Sequence, residues 1–169
     1  METMEIDEKN EASLDEVYMR RAMELAEEAE RIDEVPVGAV IVRDGEIIAE
    51  AYNTREHSRC ATHHAEILAI EQACKRLGGW RLPGATLYVT MEPCVMCAGA
   101  IISARIPRVV YGASDLRFGA FGSLLDLNAL PLNHTCSVSG GVLGEENRNI
   151  LSSYFKRKRK KPSDGGEGA

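Results

Sequence analysis

The sequence predicts an α/β protein: a three-layer α/β/α sandwich built on a mixed five-stranded sheet. Three observations predict it. Helical and strand patterns alternate in the order α-β-β-α-β-α-β-β-α, and such an order places helices on both faces of one sheet. Asp44-Gly45 separates the first two strands, and that dipeptide favours the tight turn of an antiparallel hairpin. Farther on, a strand–helix–strand spacing favours parallel pairing through a right-handed crossover.

The elements follow in order. Residues 1–12 are polar and charged without periodicity, so a disordered acidic lead is expected. Ser13-Leu14-Asp15-Glu16 reads as a capping box, in which serine and glutamate satisfy each other's backbone donors. Leu14, Tyr18, Ala22, Leu25, Ala29 and Ile32 then recur at three- and four-residue steps, predicting an amphipathic helix that ends near Ile32. Residues 35–42 are apolar almost throughout and read as a buried strand, with Pro36 at its entrance where the missing donor is tolerated. Residues 46–52 form the returning strand, and 53–62 a polar loop rich in Arg and His. A second helix runs from about His63 to Leu77, stopped by Gly78-Gly79.

Residues 86–90 read as a short buried strand. Pro93 suits a first helical turn, which opens a third helix over 94–103. Residues 108–111 are strand, 112–133 a long mixed segment, and 136–139 a last short strand. A C-terminal helix begins near Glu145 and runs into six consecutive basic residues, 156–161. Residues 162–169 are expected to be a flexible tail. The organisation is thus one domain over 13–161, which agrees with the usual ~100–200 residues per domain.

Charge and cysteine content narrow the setting. The net charge of −6 is uneven: residues 1–34 carry 13 acidic and 4 basic side chains, and the remainder 13 acidic and 16 basic. The acidity therefore belongs to the N-terminal segment, and the rest is mildly basic, so a nucleic-acid partner is compatible with the chain. No apolar run is long enough for a membrane span. The N-terminus is acidic rather than a basic–apolar secretory signal. Five cysteines, two of them in a ligand-like pair, argue against wholesale disulfide formation and for a reducing cytoplasm.

The chemistry concentrates in two stretches, His64-Ala65-Glu66 and Pro93-Cys94-Val95-Met96-Cys97. Two cysteines in C-x-x-C at a helix start can turn toward one point, and a histidine from a second helix start adds a third ligand. Zinc favours Cys and His in tetrahedral sites, and a catalytic zinc keeps three protein ligands with water in the fourth place. His64, Cys94 and Cys97 are the expected ligands of one Zn²⁺, and Glu66 the expected acid–base. Residues two apart on a helix point about 200° apart. Glu66 can therefore reach the same centre only if His64 sits at the helix mouth, and that placement is expected. His63 competes for the ligand role, but only His64 completes H-x-E. Cys60 is a possible fourth ligand that would close the site into a structural one. Cys74 and Cys136 suit the core.

H-x-E followed by P-C-x-x-C is the signature of zinc-dependent nucleobase deaminases, and the chain resembles that group. More specifically, it resembles the bacterial tRNA-specific adenosine deaminases of the cytidine-deaminase-like superfamily. The likeness rests on Glu34-Val35-Pro36-Val37-Gly38-Ala39-Val40, His64-Ala65-Glu66-Ile67, Thr90 to Ala100, and Arg108-Val109-Val110-Tyr111-Gly112-Ala113. It continues through Gly119-Ala120, Gly122-Ser123-Leu124, Leu132-Asn133-His134 and the basic end after Phe155. The resemblance implies a cytidine-deaminase-like fold and hydrolysis of adenosine to inosine at the wobble position of a tRNA anticodon. It also implies a cytoplasmic homodimer with one zinc per subunit. It further implies that Asn53 hydrogen-bonds a flipped purine, that Val37 packs on it and that the Ala65 backbone lies beside it. Asp115 and His134 would line the nucleotide path, and Phe155, Lys158 and Arg159 would hold neighbouring nucleotides in the anticodon loop. His63 and the loop 55–60 depart from the commoner family pattern. Two rival functions are a deaminase of a free base or nucleoside, of guanine or cytidine type, and a zinc-stabilised RNA-binding module without turnover.

Overall fold

The computed structural model describes residues 2–160, with side chains from residue 8 onward. Helix α1 (Glu2–Arg31) precedes the hairpin β1 (Gly38–Arg43) and β2 (Glu46–Tyr52). A single turn α2 (Arg55–Ser58), then α3 (Ala65–Leu77), β3 (Ala85–Met91), α4 (Val95–Ser103) and β4 (Arg108–Ala113) follow. A 3₁₀ turn, β5 (Ser137–Ser139) and α5 (Gly144–Lys160) complete the chain. The strands lie in the order β2-β1-β3-β4-β5. β1 is antiparallel to β2 and β3, whereas β3–β4 and β4–β5 are parallel. The expected mixed five-stranded sheet is therefore the one observed.

The hairpin turn works as its residues require. Asp44 and Gly45 both take positive φ, 51° and 73°, which is the backbone of a type I′ turn. Along β1, Ala39 and Ile41 enter a core shared with Ala65, Ala69 and Ala73 of α3 and Ala98 and Ile101 of α4. Val40 and Val42 enter a second core with Met19, Ala22 and Leu25 of α1. Burial on both faces is why this strand reads as an uninterrupted apolar run. β1 starts later than expected, at Gly38, because the Val37 N–H is spent on Val35 O at 2.8 Å and Pro36 has no N–H to give. A Cβ at Gly38 would strike the Ala22 carbonyl, so glycine is what lets α1 lie directly on the strand.

Helix α1 differs from the expectation at its start. It is helical from Glu2, so Ser13 lies inside the helix rather than capping it, and the lead expected to be disordered carries helical backbone. Glu, Met, Ala and Lys in that stretch are good helix formers, and side-chain burial begins only at Asp15. The buried stripe is also rotated. Leu14 is exposed, and its place is taken by Asp15, whose carboxylate accepts a two-pronged pair of bonds from Arg108 at 2.8 and 2.7 Å and one from Tyr88 Oη at 2.8 Å. A buried carboxylate so paired outcompetes an aliphatic contact.

Helix α5 lies beside α1 and remains helical through the basic run to Lys160. Lys158 Nζ lies 2.6 Å from Asp33, Arg157 pairs with Glu30, and Tyr154 Oη donates to the Asp33 carbonyl at 3.3 Å. The tail 162–169 lies outside the described residues. No helix among the described residues is long and apolar enough to cross a membrane.

Candidate active site

Two helix N-termini meet where β3 ends. His64 is the N-cap of α3 and Cys94 the N-cap of α4, both with extended backbone (φ −75°, ψ 155° and φ −72°, ψ 175°). Neither side chain caps its own helix, so both turn away toward a common point. Cys97, one turn into α4, joins them from a fully buried position. His64 Nδ1 lies 3.7 Å from Cys94 Sγ and 3.6 Å from Cys97 Sγ. The three ligand atoms all lie within 4.8 Å of one another, and they are the one such His/Cys/Asp/Glu cluster among the described residues. Two sulfurs and one imidazole nitrogen at this spacing fit a tetrahedral zinc with one position left over.

The expected placement of His64 at the helix mouth is observed. Because His64 is not itself helical, the two-residue helical divergence does not apply, and Glu66 lines the same cavity as His64 and Cys94. Glu66 is 4% exposed. Burial pushes its carboxyl upward, against a hydrogen bond from Cys97 and the charge of His64. The two thiols are pushed apart. A hydrogen bond from Cys97, with His64 adding to it, lowers Cys94 to about 4, whereas the same sulfur–sulfur contact and burial raise Cys97. Hydrogen bonding to Cys94 raises His64. Cys60 does not belong to the cluster: its thiol contacts the Thr62 hydroxyl at 3.4 Å. His63 faces Ser58, with Nδ1 at 2.7 Å from its hydroxyl.

A cavity of about 450 Å³ opens over this centre. Of the residues expected to contact substrate, Val37, Asn53, Ala65, Asp115 and Phe155 line it. His134, Lys158 and Arg159 lie outside the lining. His134 Nε2 is 2.8 Å from the Ile106 carbonyl, and Lys158 is held by Asp33. Arg55, Met91, Arg117 and Phe118 also line the cavity, and sequence reasoning did not single them out. Arg55 opens the single turn α2, which interrupts the stretch 53–62 expected to be loop throughout, and Arg117 lies in the loop after β4; neither segment is long enough for periodicity to mark a direction.

Two buried glutamates support the Asn53 and Asp115 side of the cavity, and one of them, Glu92, also borders it. Glu92 is 3% exposed, and its carboxylate accepts from the backbone N–H groups of Asp115, Phe121 and Ser123, each at 3.2 Å, and from the Ser123 hydroxyl. A Cβ at Gly119 would strike this carboxylate. Ala120 N donates to Pro93 O at 2.9 Å, so the loop that carries Asp115 is tied to the segment that carries Cys94. Asp115 then accepts from Arg117 N and Phe118 N at 3.0 and 3.3 Å, which sets the loop's turn. Glu34, 1% exposed, sits behind Asn53. The available signal was position: Glu92 immediately precedes Pro93, and Glu34 opens the Glu-Val-Pro-Val-Gly run.

The geometry agrees with the comparisons to known proteins. The MafB19-like deaminase family matches residues 14–159. A relative from Bacillus subtilis (strain 168), named tRNA-specific adenosine deaminase, is 51% identical over 148 residues, covering 87% of this chain and 92% of its own. A solved structure from a study of A-to-I editing by tRNA:A34 deaminases at the wobble position of transfer RNA superposes with a TM-score of 0.78 at 46% identity, covering 79% of this chain and 98% of that one. A guanine deaminase from Nitrosomonas europaea superposes at 0.70 with 26% identity, covering 83% of this chain and 84% of that one. With the ligand cluster, the buried Glu66 and the cavity in the family's fold, the chain belongs to the MafB19-like deaminases and, among them, to the tRNA-specific adenosine deaminases.

Proposed function

We propose that this enzyme carries out zinc-dependent hydrolytic deamination of adenosine to inosine at the wobble position of a tRNA anticodon in the cytoplasm. The observation that carries it is the three-ligand cluster with Glu66 buried beside it, under a cavity walled by Asn53 and Phe155. His64, Cys94 and Cys97 would hold the metal. Bound zinc lowers the pKa of water from about 15.7 to near 7 and so supplies hydroxide at neutral pH.

The remaining steps belong to the chain's own groups. Glu66 takes the proton of the attacking water and delivers it to the ring nitrogen beside the attacked carbon. The oxygen bonds to that carbon; Glu66 then takes the remaining proton of the new hydroxyl and hands it to the amino group, whose C–N bond breaks as the carbonyl forms and ammonia leaves. Burial, which raises Glu66, suits a group that must both take and give a proton. Asn53 hydrogen-bonds the flipped purine, Val37 packs on it and the Ala65 backbone flanks it. Asp115 and Phe155 line the way in, and an aromatic ring at the rim suits stacking of a neighbouring unpaired base. His134 and Arg159 contribute outside the cavity along the RNA. Lys158, committed to Asp33, holds α5 and with it Phe155 in place.

A homodimer is part of this reading. Val95, Leu116, Phe118, Leu124, Leu130 and Leu132 are exposed apolar side chains, 46–80% accessible, five of them from one 17-residue segment. Clustered exposed apolar surface marks an interface. Light scattering at micromolar concentration should give twice the chain mass, and a monomer would remove this part.

The decisive experiment is mass spectrometry of nucleosides after incubating the zinc-loaded protein with a tRNA bearing adenosine at the wobble base. Inosine at that position is expected, with free adenosine and guanine turned over far more slowly. Faster turnover of a free base would move the reading to the small-substrate deaminases. Tight RNA binding without inosine would make the chain a binding module.

A further inference from the structure

Glu34 is a buried acid that the chemistry above leaves unused. It follows α1 in a tight turn, and its two carboxylate oxygens are divided between two segments. Oε2 accepts from Asn53 Nδ2 at 3.2 Å; Oε1 accepts from the His57 backbone N–H at 2.6 Å, with His57 Nδ1 at 3.6 Å. The Asn53 backbone is fixed independently, its N–H donating to Val37 O at 3.1 Å. Asn53 is itself 6% exposed and lines the cavity.

An asparagine amide can be turned either way about its last bond, and its two ends have opposite polarity. A carboxylate only accepts hydrogen bonds. With Glu34 behind it, Asn53 must turn its NH₂ group backward, which leaves its carbonyl oxygen for the cavity. We infer that Glu34 is a positioning residue that sets the polarity of Asn53, so that the site offers an acceptor there and selects a substrate group that donates, an amino group or a ribose hydroxyl. This rests on the substrate contact of Asn53 proposed above.

Glu34→Gln tests it because glutamine reverses the arrangement. Its oxygen keeps the shorter bond to His57 N–H. Its NH₂ then faces Asn53, which turns over and presents its own NH₂ to the cavity. The substrate's donor meets a donor, and kcat/KM on an anticodon stem-loop should fall roughly 10- to 100-fold, mainly through KM, since a mispaired buried polar group is costly. Zinc content should be unchanged. Asn53→Asp should rescue the Glu34→Gln protein by about tenfold, because aspartate accepts from Gln with one oxygen and offers the other to the cavity. In the wild-type background the same Asn53→Asp should be harmful, since two carboxylates then face each other. A wild-type level in Glu34→Gln, or a double variant no better than the single, overturns the inference.

The side-chain amide of Asn53, followed by NMR in the wild-type protein, reads the contact without turnover and without a variant that must fold. One Nδ2 proton should be shifted downfield and slow to exchange; two freely exchanging protons overturn the inference. A wild-type protein that makes no inosine sinks the proposed function alone, and the amide protons still decide the role of Glu34.

Discussion

At the ligand corner of the cavity, all four chemical side chains come from residues 64–66 and 94–97, at the openings of α3 and α4. The facing wall is assembled from Asn53, Asp115 and Phe155, which lie after β2, after β4 and on α5. The corner is held by secondary structure itself: once each helix starts where it does, its N-cap side chain has one direction to take. Phe155 rides on α5, but the two loop pieces have no such frame and are instead anchored from behind by a buried group, Glu34 behind Asn53 and Glu92 behind the Asp115 loop. The lesson is a division of labour. Atoms that must meet within a few tenths of an ångström sit on rigid helix starts, whereas surfaces that must fit a large substrate sit on loops whose shape is set by hydrogen bonds to buried carboxylates.

The largest effect that separates the two regions should come from Glu66→Ala. Turnover should fall by about 10²–10⁴, while metal analysis still finds one zinc per chain, because no ligand is touched. Full activity in a zinc-loaded Glu66→Ala protein would remove this residue from the acid–base role. Glu92→Ala strikes the opposite wall. It orphans the backbone donors of Asp115, Phe121 and Ser123, at about 1–3 kcal/mol for each donor left buried. A net loss of roughly 3 kcal/mol lowers Tm by about 6–12 °C for a chain of this size. Calorimetry showing an unchanged Tm would mean that the loop does not depend on this carboxylate.

Metal removal sharpens the comparison at the corner. In chelator-treated protein at pH 6, Cys94, lowered to about 4, is already thiolate, whereas Cys97 is raised and buried. Iodoacetamide should label Cys94 roughly three- to tenfold faster than an ordinary thiol, since greater ionisation outweighs the weaker nucleophilicity of a low-pKa sulfur. Cys97 should stay unlabelled, and zinc should protect both. Equal labelling of the two cysteines, read by peptide mass spectrometry, would contradict this asymmetry. The smallest effect belongs to the end of α5. Arg157 and Lys158 are engaged by Glu30 and Asp33, so a truncation there would also loosen the helix. Substituting Arg159 and Lys160 by alanine leaves those anchors intact and should flatten the salt dependence of tRNA binding by about 0.7 in slope for each phosphate no longer neutralised. An unchanged slope would take this pair out of the interface.

Much of this was legible in the residues. The hairpin at Asp44-Gly45, the C-cap at Gly78 and the apolar run of β1 each depend on local chemistry, and each appears as expected. The ligand cluster was legible because H-x-E followed by P-C-x-x-C is the signature of zinc-dependent nucleobase deaminases; each half is a short spacing at a helix start, and the signature says that the two halves meet. What was not legible involves partners distant in sequence. Asp15 replaces Leu14 on the buried face of α1 because Arg108 and Tyr88 wait for it in β4 and β3. Lys158 and His134 are outside the cavity lining, and their partners there are Asp33 and Ile106 O. A capping box at Ser13 was a sound local reading, and the continuing helix in front of it overrode it.

The sequence by itself determined the layered α/β fold and the order of its elements apart from the single turn α2, and it named the groups expected to hold a metal and move a proton. Those depend on periodicity, turn residues and spacings within one turn of helix, all of which are local. Only the tertiary structure decided which side chains face the cavity and which way Asn53 is turned. A loop side chain's direction is set by whichever buried donor or acceptor it can satisfy, and that partner is chosen by the packing of the whole chain rather than by its neighbours in sequence.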